Sequence, residues 1–232
     1  MSITEGIKAI ECVIFDMDGV IFDSESIWKI AFREATLAYG FDLTEIDRQH
    51  TCGMDEESIR RELKERFPHA DIDGYRDLMR KRVRELSGKG VPVKPGFEKL
   101  MTLLRATGKK AALATSSERI RACNMFAMNG MMIEKLFAST VFGDEVSKGK
   151  PDPFIFIEAA RKAGVDPVKC MVIEDSPNGI EAAASGGFFP VMIPDIIMPT
   201  EKEKATCGLI AESLSELYGI LKKEWKIAYE KN

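Results

Sequence analysis

Short, continuous runs of apolar residues recur along the chain, and polar residues bound each run. Such runs are too short for helices, and their lack of polar alternation is typical of strands buried on both faces. Strands of that kind form parallel sheets whose two faces are covered by helices. The pattern predicts strands at residues 12–15, 111–114, 139–142, 170–173 and 189–193.

Amphipathic helical patterns separate the later apolar runs. One begins near Gly96, another follows Ser117, and two more cover residues 153–164 and 177–185. Regular alternation of strand and helix is typical of a doubly wound α/β domain. We therefore predict a Rossmann-like core built on a parallel sheet.

The interval between the first two runs breaks this alternation. It holds three successive amphipathic helical patterns, at residues 25–39, 55–67 and 75–86. A proline-containing stretch, residues 91–96, then leads back to the sheet. We therefore predict a small all-helical domain inserted after the first strand. The predicted domains are a core of residues 1–23 and 93–232 and a helical insert of residues 24–92.

Composition narrows the class of protein. The 232 residues carry a net charge of -4, so the basic excess typical of nucleic-acid binding is absent. The five cysteines are scattered without a CxxC pair, as expected for a reducing compartment. No segment approaches the roughly 20 apolar residues of a membrane span. We expect a soluble, cytoplasmic, monomeric or weakly dimeric protein that binds neither nucleic acid nor membrane.

Polar side chains follow three of the predicted strands, at the point where each strand ends. Ligands of parallel sheets bind outside the carboxyl ends of the strands, so these side chains are expected to lie close together. Each group alone could be an ordinary turn or helix cap. The groups are Asp16 and Asp18 after the first strand, Thr115, Ser116 and Ser117 after the second, Glu174 and Asp175 after the fourth, and Lys150 in a loop.

The four acidic residues of this set are Asp16, Asp18, Glu174 and Asp175. Two carboxylates about 4 Å apart repel by about 4 kcal/mol at an effective dielectric near 20, so the cluster requires a counter-charge. A hard divalent cation fits, and carboxylate and carbonyl oxygens favour Mg²⁺. Magnesium with open positions indicates a phosphate-bearing substrate. We expect Lys150 and the hydroxyl of Thr115 to bind its phosphoryl oxygens.

Four sequence motifs resemble, in order, those of the haloacid dehalogenase superfamily. The resemblance covers nearly the whole chain, including the helical insert in the place of that family's cap. It is nearest to the subgroup holding β-phosphoglucomutase, phosphoglycolate phosphatase and sugar-phosphate phosphatases. The motifs are Asp16-x-Asp18-Gly19-Val20-x-x-Asp23-Ser24, Thr115, Lys150-Pro151-x-Pro153 and Glu174-Asp175-Ser176-x-x-Gly179.

The resemblance implies a phosphoric monoester hydrolase that works through an aspartyl phosphate. Asp16 would be the nucleophile and a Mg²⁺ ligand. Asp18 would protonate the leaving oxygen, then activate the hydrolytic water, and bind the metal through its backbone carbonyl. Asp175 would complete the protein ligands, with Glu174 as a further ligand or a supporting partner.

The resemblance also implies which residues contact the substrate. Lys150 and Thr115 would hold the phosphoryl group, and Lys150 would offset the charge of Asp16. The cap would supply further contacts, and Trp28 could stack on a sugar face or simply pack in the core of the cap. The predicted substrate-contacting residues are Thr115, Ser116, Ser117, Lys150, Trp28 and Gly53.

Two fates of the intermediate remain open, hydrolysis and transfer to a second sugar position. In β-phosphoglucomutase a His follows the acid loop, and a Lys and an Arg flank the cap glycine. The corresponding residues here are Trp28, Cys52 and Glu56. Glu56 would repel the second phosphate of a bisphosphorylated intermediate. We therefore predict hydrolysis of a small phosphorylated metabolite, a sugar or polyol phosphate, with a phosphosugar mutase as the alternative.

A non-enzymatic phosphoacceptor or binding module is the alternative of another class. A receiver domain also carries an acidic pair, a Thr or Ser, and a Lys-Pro. Its acceptor Asp would have to end a strand between the acidic pair and Thr115, where this chain has its helical insert. A silent binding module is disfavoured because every catalytic position is occupied by a competent residue.

Overall fold

The computed structural model describes residues 3–51, 56–88 and 90–225. The chain forms two compact units, one of residues 1–23 and 92–232 and one of residues 24–91. The first unit is called the core and the second the helical unit. None of the described helices is both long and apolar enough to cross a bilayer.

Six parallel strands form one sheet in the described part of the core. All five predicted strands are present, and a two-residue edge strand was missed because Leu209–Ile210 is too short to give a pattern. The finding confirms the predicted α/β fold with a helical insertion after the first strand. The strands are β1 Cys12–Phe15, β2 Lys110–Thr115, β3 Ser139–Phe142, β4 Cys170–Glu174, β5 Phe189–Met192 and β6 Leu209–Ile210.

Helices connect the strands and form the helical unit. The predicted helices of the insert begin and end within three residues of their expected bounds, but the short helix α3 was not predicted. The helices are α1 Ile3–Ala9, α2 Ser24–Tyr39, α3 Glu45–His50, α4 Glu56–Arg66, α5 Ile72–Ser87, α6 Phe97–Ala106, α7 Arg119–Met128, α8 Ile133–Leu136, α9 Phe154–Ala163, α10 Pro177–Ser185, α11 Glu201–Thr206 and α12 Leu214–Glu224.

The order of strands in the sheet is β3-β2-β1-β4-β5-β6. The central strand β1 pairs with β2 on one side and with β4 on the other, so the chain changes its direction of winding beside β1. Phe15, the last residue of β1, aligns with Leu113 and with Ile173. The carboxyl ends of these three strands therefore flank the topological switch point, where open α/β sheets bind ligands.

Both faces of the sheet are buried, as its continuous apolar strands require. Alternate residues of β1, such as Cys12 and Ile14, pack in one cluster with α9 and α10. Phe15 faces the other side, where its ring lies 5.7 Å from that of Phe97 on α6. Helices on both faces hold the strands rigidly, and the loops at the strand ends can then carry function.

The helical unit has its own apolar core. Ala31 and Ala35 of α2 pack with Ile59 and Leu63 of α4 and with Tyr75 of α5. These residues recur at helical spacing, which explains why the sequence pattern predicted the helices correctly.

Candidate active site

The first strand end holds Asp16 in a fixed position. Its backbone N–H donates to the carbonyl of Ile173 at 3.0 Å, so the strand pairing extends to this residue. The chain then turns tightly, since the N–H groups of Ile21 and Phe22 both donate to the carbonyl of Met17. The Asp16 side chain is only 8% exposed. Burial and backbone pairing leave its carboxylate little freedom to move.

The fourth strand end brings a second pair of carboxylates to this edge. Glu174 Oε2 accepts hydrogen bonds from the N–H and the hydroxyl of Ser176 and from the N–H of Asp175. A Cβ on Gly179 would lie 1.9 Å from the Glu174 carboxyl carbon, so only glycine allows this approach. A Cβ on Gly19 would lie 2.1 Å from Asp175 Oδ2. Asp175 therefore packs directly against the loop that follows Asp16.

Lys150 lies between these two strand ends. Its Nζ donates to Asp16 Oδ1 and to Glu174 Oε1, each at 2.5 Å, and its side chain is 7% exposed. The ammonium also lies 4.9 Å from the centre of the Phe156 ring, a favourable cation–π position. The structure thus brings together Lys150 and Asp16, which lie 134 positions apart in the sequence.

The pKa values of this group reflect burial and mutual charge. Burial raises the pKa of Asp16 to about 7; Lys150 opposes the shift, and the charges of Glu174 and Asp18 add to it. Burial alone would lower the pKa of Lys150, but Asp16 and Glu174 outweigh it and the pKa is raised above its usual value. Lys150 is therefore a permanent cation that favours an ionised Asp16.

A further acidic residue, Asp195, was missed by the sequence analysis. Burial raises the pKa of Asp175 well above its usual value, and the charges of Glu174, Asp16 and Asp195 add to the shift. Asp195 forms an ion pair with Lys94 at 2.7 Å. It follows the fifth predicted strand by two residues, the same signal that identified the other acidic groups.

The second strand end contributes hydroxyl groups. Thr115 is 1% exposed, and its Oγ1 accepts from the N–H of Ser117 at 3.1 Å, which leaves its own hydroxyl hydrogen to donate elsewhere. Ser117 Oγ donates to Asp18 Oδ2 at 2.8 Å. A Cβ on Gly143 would lie 2.0 Å from the carbonyl oxygen of Ser116, so the loops after β2 and β3 touch here. The Ser116 side chain is exposed.

Arg121, on the first turn of α7, is a second residue that the sequence analysis missed. Its guanidinium binds both carboxylate oxygens of Asp18, at 2.6 Å and 2.7 Å. A lone Arg on a helix next to a strand end has no local signature, because its partner lies 103 positions away.

The donor set fits a magnesium ion. Among the described residues, no three His, Cys, Asp or Glu side chains form a preformed metal cage. Magnesium does not require one, since it keeps several waters and binds proteins through one or two carboxylates plus substrate phosphate. Asp16 and Asp175 are two such carboxylates. Burial is the main cause of their raised pKa values, and the charge of Glu174 raises both further, so a bound cation would offset the negative charge gathered here. Glu174 already has both oxygens engaged, which favours its supporting role over direct ligation.

Two of the predicted substrate-contacting residues, Trp28 and Gly53, fall within the residue range of the helical unit. Trp28 is half-buried, packs beside the core of that unit and lines a cavity of about 250 Å³ there, together with buried Arg48 and Arg76. Gly53 and Cys52 lie outside the described residues. The assignment of Trp28 and Gly53 to substrate contacts therefore stays a prediction.

The free energy of unfolding of the metal-free protein should decrease as Asp16 ionises with rising pH. Because its pKa rises from 3.8 to about 7 on folding, its contribution is fully present below pH 3.8 and is lost as pH rises through 7. We expect the native protein, in chelator, to lose up to about 4 kcal/mol of unfolding free energy relative to Asp16→Asn between about pH 4 and pH 8.

Urea denaturation of both proteins across this range measures that difference. Magnesium added at the upper end should restore part of the native protein's stability. If the difference in unfolding free energy between the two proteins did not change with pH, the pKa of Asp16 would not be raised in the folded protein.

Fold and site together define a class. An aspartate at the end of the central strand, held by a buried lysine beside a second acidic strand end, is suited to covalent transfer of a phosphoryl group between oxygens. Residues 10–187 match the haloacid dehalogenase-like hydrolase family. The chain belongs to this family, and it is a phosphatase of the haloacid dehalogenase type.

Two known proteins and one solved structure are among those similar to it. The "Phosphorylated carbohydrates phosphatase" of Thermotoga maritima is 33% identical over 76% of this chain and 82% of that protein. The "Probable pseudouridine-5'-phosphatase" of Drosophila melanogaster is 32% identical over 88% of this chain and 90% of that protein. The structure of CbbY from Rhodobacter sphaeroides in complex with phosphate superposes with a TM-score of 0.69 at 25% identity. The match covers 90% of this chain and 96% of CbbY.

Proposed function

We propose that the protein is a Mg²⁺-dependent phosphatase that hydrolyses a small sugar or polyol phosphate through an aspartyl phosphate on Asp16. The observation that carries the proposal is the position of Lys150, which contacts Asp16 and Glu174 at the switch point of the sheet. A buried lysine that donates to an aspartate at a ligand-binding edge, and so favours its ionised form, supports a carboxylate nucleophile.

The first step transfers the phosphoryl group to the protein. A carboxylate oxygen of Asp16 attacks phosphorus, and the bond from phosphorus to the substrate's alcohol oxygen breaks. Asp18 gives its proton to that oxygen, and the alcohol leaves. Lys150 and the hydroxyl of Thr115 neutralise and orient the equatorial phosphoryl oxygens, which is the main source of catalysis in phosphoryl transfer.

The second step regenerates the protein. Asp18, now ionised, removes a proton from a water molecule, and the water oxygen attacks phosphorus. The bond between phosphorus and Asp16 breaks, and inorganic phosphate leaves. When bound by Asp16 and Asp175, Mg²⁺ would supply positive charge to the phosphoryl oxygens. Ser116 and Ser117 lie in the same loop as Thr115 and are proposed to border the bound phosphate.

The substrate class is supported by a relative and by the helical unit. The Thermotoga maritima relative is a phosphorylated-carbohydrate phosphatase by name. Trp28 lines a cavity of the helical unit, and an aromatic side chain there would be suited to the apolar face of a sugar.

A panel assay tests the proposal. Sugar phosphates, polyol phosphates, nucleoside monophosphates and p-nitrophenyl phosphate are incubated with the protein, with Mg²⁺ or with chelator, and phosphate release is followed. We expect many turnovers with Mg²⁺, sugar or polyol phosphates as the preferred substrates, and almost no release with chelator. ³¹P NMR of the products distinguishes free phosphate from a phosphate moved to another sugar position, which would favour a mutase. A single stoichiometric phosphorylation would favour a phosphoacceptor and contradict the proposal.

A further inference from the structure

Arg121 makes a two-point contact with Asp18 that no step described above uses. Nη1 lies 2.6 Å from Oδ2, and Nη2 lies 2.7 Å from Oδ1. Ser117 Oγ donates to the same Oδ2 at 2.8 Å and is itself contacted by Arg121. The carboxylate of Asp18 is therefore held at both oxygens by a side chain from the start of α7.

Asp18 differs from Asp16 in what fixes its orientation. The Asp16 side chain is 8% exposed and contacts Lys150, so its surroundings hold it. The Asp18 side chain is 32% exposed. Packing alone does not select one rotamer for a short side chain that is this open to solvent. A planar guanidinium that matches both carboxylate oxygens does select one.

Positioning matters for the role proposed for Asp18. A proton-transfer group must lie within about 2.6–3.2 Å of the atom it protonates, and a misplacement of about 1 Å can cost about 100-fold in rate. Ser117 bonds both to Asp18 and to Thr115, so Arg121 holds the Asp18 carboxylate beside the loop that follows β2.

We propose that Arg121 is the positioning residue for Asp18, setting the orientation from which Asp18 protonates the leaving oxygen. Each carboxyl oxygen has two lone pairs, so Asp18 can carry the transferred proton on one oxygen while the guanidinium contacts both. The inference rests on the proposed function, because it assigns a role to a partner of the proposed acid. If Arg121 has this role, its loss should slow the reaction more for a poor leaving group than for a good one. An alkoxide of a sugar or polyol leaves poorly without a proton, whereas p-nitrophenolate leaves readily without one.

A structural ion pair would behave differently. The Arg121 side chain is 44% exposed, and pairs of that exposure contribute little to stability. Loss of the pair would then leave thermal stability and both substrates nearly unaffected. If loss of the pair instead disturbed the fold, kcat/KM would fall by the same factor for both substrates.

The test compares kcat/KM for the best alkyl phosphate and for p-nitrophenyl phosphate, at saturating Mg²⁺, in the native protein and three variants. Arg121→Met removes the contact, and Arg121→Lys keeps the charge but not the two-point geometry. Arg119→Met is the matched control, since Arg119 lies on the same helix, is similarly exposed and pairs with Glu145.

We expect Arg121→Met to lower kcat/KM for the alkyl phosphate by about 10- to 100-fold, mainly through kcat, and for p-nitrophenyl phosphate by less than about threefold. Arg121→Lys should recover only a small part of the loss, and Arg119→Met should stay within about twofold of native on both substrates. Thermal melts should coincide for all four proteins.

Equal losses on the two substrates, full recovery by Arg121→Lys, or the same loss in Arg119→Met would overturn the positioning role while leaving the proposed function intact. A native protein that releases no phosphate from any substrate would overturn the proposed function itself. The native reaction therefore separates the two failures.

Discussion

Asp16→Asn is expected to abolish phosphate release, lowering kcat by roughly 10⁴-fold or more, because the amide cannot form the aspartyl phosphate. The variant should still fold, since asparagine is nearly isosteric with aspartate. The substitution also removes a buried carboxyl group whose pKa is raised to about 7. Steady-state phosphate release with the best substrate of the panel measures the effect. Mass spectrometry of the acid-quenched native protein should show a phosphorylated chain, and the variant should not.

Asp77→Asn is the matched control for this experiment. Asp77 has a side chain that is 76% exposed, on a helix of the other unit, and pairs only with its neighbour Arg80 among the contacts described. It should retain native activity. Residual turnover of Asp16→Asn within about tenfold of native would remove Asp16 from the nucleophile's role.

Lys150→Met should damage both activity and stability. The substitution leaves Asp16 and Glu174 buried and facing each other without the ammonium between them, and breaking a buried ion pair in this way costs about 3–5 kcal/mol. The kcat should fall by about 10²- to 10³-fold, because a cation that neutralises the phosphoryl oxygens is lost. Urea denaturation and phosphate release measure the two effects.

The stability loss should also depend on pH. Protonation of either carboxyl relieves the repulsion, so the loss should be larger near pH 8 than near pH 5. Lys148→Met is the control, because that side chain is 72% exposed and lies two residues away in the same loop. A Lys150→Met protein as stable as the Lys148→Met protein at both pH values would show that Lys150 does not hold the two carboxylates together.

Much of the fold could be predicted because its signals are local. Buried strands such as β1 are continuous apolar runs, and the helices of the insert follow a 3.6-residue period. Two of the elements that escaped prediction have weak local signals. Leu209–Ile210 is two residues long, and Glu45–His50 is a charged helix of six residues without an apolar face.

The site was predictable in part for the same reason. A polar residue directly after an apolar run marks a strand end, which identified Asp16, Thr115 and Glu174. Asp195 lies one position further from its apolar run, after Pro194, and could have been found by the same rule extended by one residue. Arg121 could not, since its importance lies in a partner 103 positions away and nothing in its own neighbourhood marks it.

The sequence by itself determined the five longer strands, the amphipathic helices of the insert and the polar groups at the strand ends, because short-range periodicity and strand-terminal chemistry are properties of neighbouring residues. Only the tertiary structure decided that β1 lies between β2 and β4, that Lys150 lies between Asp16 and Glu174, and that Arg121 holds Asp18. Strand order, and contacts between side chains a hundred positions apart, depend on how the sheet and its helices pack. The pattern of neighbouring residues does not specify that packing.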